Sequence, residues 1–115
     1  MRLAGPADPG TVGSWSSVIA APVVPVFEAL LPSGKILMWD SDGDHAAESY
    51  TNHTFTRAAV YNPVANTSKR VDVAGSNIFC AGFVQLANGN VFIAGGNADS
   101  ALHGIRQTHV FDWKT

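Results

Sequence analysis

The chain has 115 residues, seven Lys+Arg against nine Asp+Glu for a net charge of −2, and 14% charged against 46% hydrophobic residues, with eleven Gly and six Pro. That balance excludes a coiled coil, a disordered chain and, with Lys69-Arg70 as the largest basic cluster, a nucleic-acid binder. The single cysteine, Cys80, excludes an internal disulfide and a multi-cysteine zinc site, which leaves a turn-rich apolar chain expected to be all-β.

In chain order, Met1-Arg2-Leu3-Ala4-Gly5-Pro6 carries a basic residue with no apolar segment behind it, so it does not read as a signal peptide. Gly13-Ser14-Trp15 through Ile19 resembles the last strand of a preceding unit. The longest apolar run, Val18 to Phe27, is broken by Pro22 and Pro25 and falls short of the roughly twenty residues a spanning helix needs, so no membrane partner is expected.

Phe27-Glu28-Ala29-Leu30-Leu31, Pro32-Ser33-Gly34 and Lys35-Ile36-Leu37-Met38-Trp39 spell strand, tight turn, strand. Next, Asp40-Ser41-Asp42-Gly43-Asp44-His45 gathers oxygen ligands. A calcium loop of the EF-hand type wants Gly at its sixth position and Glu at its twelfth. Here Gly43 is fourth and Thr51 twelfth, so the segment reads as a solvated turn. Ala46 to Arg57 reads as a long loop entering a strand, Thr56 to Tyr61 as a third strand and Ser68 to Val73 as a fourth.

The pattern then repeats. Gly82-Phe83-Val84-Gln85-Leu86, Ala87-Asn88-Gly89 and Asn90-Val91-Phe92-Ile93-Ala94 form a second hairpin, with Gly89 standing 55 residues after Gly34. Both turn glycines are expected in the left-handed conformation that closes a hairpin. Gln107 to Phe111 is the third strand of this unit, and Val110 follows Val60 by 50 residues. A period near fifty with four strands per unit is the signature of the kelch type of β-propeller blade. A β-sandwich of seven hairpin strands is the alternative, and self-similarity at this period favours the propeller. The expected architecture is therefore an all-β, kelch-type β-propeller fragment of four-stranded antiparallel blades. Residues 1–20 are the lead-in and last strand of one blade, 21–74 a complete blade and 75–115 an incomplete following blade. A blade cannot bury both faces alone, so the remaining propeller blades are the expected partners.

The histidines, His45, His53, His103 and His109, show no metal-ligand spacing and are expected at the surface or rim. Trp15, Trp39 and Trp113 lie near strand ends and are expected to pack between blades. Gly95-Gly96-Asn97 reads as strand end and turn, with no helix behind it to bind phosphate. Asn52-His53-Thr54 and Asn66-Thr67-Ser68 are glycosylation sequons, relevant only in a eukaryotic secreted protein. From composition alone, Cys80 is a small buried hydrophobe.

Asn77-Ile78-Phe79-Cys80-Ala81-Gly82, followed by Leu86-Ala87-Asn88-Gly89 and Val91-Phe92-Ile93-Ala94-Gly95-Gly96, resembles the galactose oxidase and glyoxal oxidase family of copper radical oxidases. Trp15, Pro22, Val24-Pro25 and Gly34-Lys35-Ile36-Leu37-Met38-Trp39 match the blade before it, so the resemblance runs from Gly13 to Trp113. It implies that Cys80 is bonded through sulfur to the ring of a tyrosine that ligates copper and holds a radical. It further implies oxidation of a primary alcohol, an aldehyde or a carbohydrate substrate, with O2 reduced to hydrogen peroxide, and secretion of the parent. The family's copper ligands, two Tyr and two His, come after this blade. Tyr50 and Tyr61 precede Cys80 and do not match them, so this chain alone is expected to be inactive. The rival expectation is a non-catalytic kelch propeller that binds a protein or glycan on its loops.

Overall fold

The computed structural model describes residues 9–40 and 53–114. Among the described residues a single helical turn, α1 (Pro9–Val12), precedes nine short strands. β1 (Phe27–Leu30) and β2 (Ile36–Trp39) form the first hairpin, with Gly34 at φ 76° in its turn and the Leu31 amide donating to the Lys35 carbonyl at 2.8 Å. β4 (Ala58–Asn62) pairs with β2, and β5 (Thr67–Arg70) pairs with β4, giving a four-stranded antiparallel sheet in the order β1-β2-β4-β5.

Phe55–Thr56 (β3) pairs with Val73–Ala74 (β6), and the partners Thr56 and Val73 keep the register of Ala59 and Arg70. The expected third and fourth strands are thus present but interrupted. The cause is Asp72, whose Oδ1 accepts the Ala58 amide at 3.0 Å where a ladder carbonyl would otherwise stand. The second unit contains β7 (Gly82–Gln85), β8 (Val91–Ala94) and β9 (Thr108–Phe111), paired antiparallel in that order. Gly89 closes its hairpin at φ 87°.

Alternation along the strands gives each sheet two faces. Leu37, Trp39 and Ala58 of the first sheet meet Val91 and Ile93 of the second, with Ile78 and Ala81 of the connection, in one core. On the far face of the first sheet Met38 and Ala59 are covered by Val23. Trp39 makes no contact with solvent, stacks on Phe27 at 5.5 Å and meets Phe83 of the second sheet edge-to-face at 4.9 Å. It packs between the two units as expected. Trp113 donates its Nε1–H to the Asn88 carbonyl at 2.9 Å, at the turn of the second hairpin.

Residues 13–20 differ from expectation. They form no strand, and Trp15 is fully exposed, because no described strand lies alongside to supply ladder bonds.

The repeat also places two cross-strand rows in equivalent positions. Ala29, Leu37 and Val60 are aligned partners on β1, β2 and β4, facing the second sheet. Val84, Phe92 and Val110 are aligned partners on β7, β8 and β9, 55, 55 and 50 residues later. The first row is covered; in the second, Val84 is 55% and Val110 57% exposed.

Candidate functional site

The connection between the sheets carries the motif singled out in the sequence. Ile78, Phe79, Cys80 and Ala81 form a turn closed by the Ala81 amide donating to the Ile78 carbonyl at 3.1 Å. Cys80 sits third in that turn at φ 62°, a left-handed conformation that disfavours a residue with a Cβ by about 1–2 kcal/mol. Its thiol is free and the residue is exposed, which corrects the reading from composition: Cys80 is not a core residue.

A buried polar frame holds this turn. Asn77 has no solvent exposure, its Oδ1 accepts the Phe79 amide at 2.9 Å, and its Nδ2 lies 3.0 Å from His53 Nδ1. Thr56 Oγ1 accepts the Ile78 amide at 2.9 Å and donates to the Ser76 carbonyl at 3.0 Å. From the other side, the Asn97 amide donates to the Asn77 carbonyl at 3.0 Å. Gly96, at φ 134°, lets that strand end approach, since a Cβ there would strike the Asn77 carbonyl. Buried polar groups of this kind demand full pairing, so the frame fixes the backbone on both sides of Phe79. Phe79 itself meets Phe27 edge-to-face at 5.5 Å.

The histidines separate into different environments. His53 is buried in this frame, against the expectation of a surface position, because Asn77 and the Ala98 carbonyl supply polar partners for its side chain and amide. His109 is half-buried with Nε2 2.8 Å from Ser76 Oγ, while its buried Nδ1 has no hydrogen bond among the described residues. His103 is exposed as expected, but it does have a carboxylate partner: its Nδ1 lies 2.8 Å from Asp99 Oδ2, four residues earlier in the chain. That hydrogen bond and the Asp99 charge hold His103 above the ordinary histidine range, and the same bond holds Asp99 below the usual carboxylate range. His45 lies outside the described residues, as do Tyr50 and Asn52.

Of the acidic segment at 40–45, only Asp40 is described, and it is not solvated. It is 2% exposed, takes both Nε and Nη2 of Arg57, and accepts the Val24 amide at 3.0 Å. Asn66 is exposed in the β4–β5 turn, where its Oδ1 accepts the Tyr61 hydroxyl at 3.1 Å. Among the described residues no three His, Cys, Asp or Glu side chains converge to hold a metal ion, and no helix is long and apolar enough to cross a membrane. The described residues therefore do not fit a copper centre by themselves. The sequence reading missed Thr56 and Ser76 and quoted Asn77 only as the first residue of its motif; the polar pair Ser76-Asn77 set directly before an apolar stretch is the signal that marks the frame.

Among the described residues, antiparallel sheets of two to four strands, packed through one aromatic-rich core and almost free of helix, define an all-β protein built of blade-like units. Comparison with known sequences gives the resemblance a name. The chain is similar to galactose oxidase of Gibberella zeae, found as two sequences, each 31% identical over 96 aligned positions that take in 75% of this chain. The chain spans 13% of the length of those relatives. No family model and no solved structure matches it.

Proposed function

We propose that this chain contributes two adjacent blades to a larger, kelch-type galactose oxidase-like propeller. The observation that carries the reading is the Val84-Phe92-Val110 row, whose two valines are more than half exposed. Its counterpart in the first unit, Ala29-Leu37-Val60, is covered by the second unit, so the second row is the seat for the next blade. Residues 1–20 lead in, 21–74 form one blade and 75–115 lie in the next.

The chemistry assigned to the whole protein is oxidation of a primary alcohol or aldehyde by O2 to give hydrogen peroxide, in a secreted enzyme. Cys80 is its contribution from this chain. The thiol stands exposed on a turn whose left-handed backbone is held by Asn77 and Thr56, available to a tyrosine ring outside the described residues. Joining the two replaces the S–H and a ring C–H with one C–S bond, and O2 takes the two hydrogens. Sulfur attached to the ring makes the phenol easier to oxidise. A copper ion would have to be held by ligands from outside the described residues, and it would supply one-electron redox chemistry beside the ring.

Mass spectrometry of the copper-loaded full-length protein tests this. The expected result is a Cys80–Tyr linked peptide lighter by two hydrogens than its unlinked parts, lost in Cys80→Ala while the fold persists. A protein that folds, binds copper and leaves Cys80 as a free thiol overturns the oxidase reading and favours a non-catalytic binding propeller.

A further inference from the structure

The two sheets leave a cleft of about 300 Å3 between them, on the side of the β1–β2 turn and the end of β9. The chain contains three lysines, Lys35, Lys69 and Lys114, and all three line this cleft. No described Asp or Glu lines it. Among the described residues the ion pairs use Arg57, Arg70 and His103, and none of the three ammonium groups has a carboxylate partner.

In a chain of net charge −2 this is an uneven distribution. Like charges gathered in a concave site raise the local potential and concentrate anions there. The cleft also has a flat aromatic wall. The Trp113 indole is fixed by its bond to the Asn88 carbonyl, and Lys114 Nζ lies over its ring, 5.9 Å from the centroid, so a ligand ring on that face replaces the ammonium and leaves it free to meet a carboxylate. Thr67 and Ser68 add hydroxyls to the lining.

The geometry points to a binding cleft for a sugar acid, a single uronate ring. The apolar face of the ring lies on Trp113, its carboxylate is met by the lysines, and its hydroxyls meet Thr67 and Ser68. A volume at the small end of ligand pockets suits one ring. An aromatic platform alone accepts a neutral sugar, and lysines alone accept any anion; the combination selects a ring that is both flat-faced and charged. This site is independent of Cys80 and of the oxidase chemistry.

The test is NMR titration of the 115-residue chain, following the Trp113 indole N–H and the Thr67 and Ser68 amides, with glucuronate, galactose and inorganic phosphate as separate probes. Glucuronate is expected to give saturable shifts at all three positions, weakening as salt is raised. Galactose at the same concentration is expected to shift them little. Lys69→Gln, an exposed substitution that leaves the fold intact, is expected to weaken glucuronate about two- to fivefold, and Lys35→Gln/Lys69→Gln further. Equal binding of galactose and glucuronate overturns the role of the lysines. Phosphate binding as tightly as glucuronate overturns the role of the ring. Absence of any saturable shift overturns the site.

Discussion

The Trp39 indole meets the Phe83 ring edge-to-face with 4.9 Å between centroids, and this pair ties β2 of the first sheet to β7 of the second. Trp39 also donates Nε1–H to the Ile78 carbonyl at 3.3 Å, so one side chain reaches both sheets and the connection between them. Trp39→Ala removes a fully buried indole and is expected to cost about 3–5 kcal/mol. Phe83 is 40% exposed, and Phe83→Ala is expected to cost about 1–2 kcal/mol. Urea unfolding of both variants measures the difference. Equal losses would show that Trp39 acts only through Phe83.

Gly96 and Gly34 both have positive φ, yet alanine should affect them differently. A Cβ added at Gly34 meets open space, so Gly34→Ala carries only the left-handed penalty of about 1–2 kcal/mol. At Gly96 the added methyl strikes the Asn77 carbonyl, and backbone cannot turn aside as a side chain can. Gly96→Ala is expected to lose about 1–3 kcal/mol more than Gly34→Ala. It should also change the rate at which Cys80 is alkylated, because Asn77 holds the Cys80 turn. Matching urea midpoints with unchanged alkylation would remove Asn77 from that role.

Both hairpins were legible because period-two alternation and a turn glycine are local signals. Gly34 and Gly89 lie where the sequence puts them, with the φ it requires. Trp39 between the units was legible for the same reason, as the last apolar residue of a buried strand. The frame around Asn77 was not legible, because it joins residues from Thr56 to Asn97 that only the folded chain brings together. Asp40 was misread because Asp before Ser-Asp-Gly has turn chemistry, while its actual partner, Arg57, is seventeen residues away. Residues 13–20 carry strand-like composition, but a strand needs a neighbour, and composition does not supply one.

Asp40 and Arg57 make a two-point ion pair with side-chain exposures of 3% and 18%. Asp40→Ala leaves the guanidinium and the Val24 amide without this acceptor and is expected to cost about 3 kcal/mol, the low end for a broken buried pair because Arg57 keeps some access to water. Replacing both, Asp40→Leu with Arg57→Met, should recover much of that loss, since the two charges of the pair are removed together. A double-mutant cycle by thermal unfolding gives the coupling. No recovery in the double variant would mean that the Val24 amide contact carries the stabilisation.

The Asp99–His103 pair sets a pH window for the loop between β8 and β9. His103 is held above its ordinary value of 6.5, so its part of the stabilisation is complete below that value and is lost as pH rises through the raised folded value. Asp99 is held below its ordinary 3.8, so its part is present above that value and is lost as pH falls through the lowered one. The pair therefore acts fully between those two ordinary values. NMR titration should place the His103 midpoint above 6.5, and Asp99→Asn should bring it down. An unchanged midpoint in Asp99→Asn would assign the shift to something other than this carboxylate.

Cys80 adopts φ 62° in an exposed turn, a conformation that glycine tolerates far better than cysteine. If stability alone chose the residue here, glycine would serve better. Cys80→Gly removes the left-handed penalty, though it also frees the unfolded backbone, and the net expectation is a chain more stable by about 0.5–1 kcal/mol. In the full-length protein the same substitution removes the sulfur proposed to join a tyrosine ring, so the proposed oxidase activity is expected to be lost while the unfolding temperature is kept or raised. Cys80→Ala keeps the backbone strain and removes the sulfur, and should lose activity without gaining stability. The two variants separate a strained residue retained for its sulfur from one that merely fits the turn. Should Cys80→Gly unfold at a lower temperature than Cys80→Ala, the turn does not strain its cysteine, and the backbone gives no reason to expect chemistry at this position.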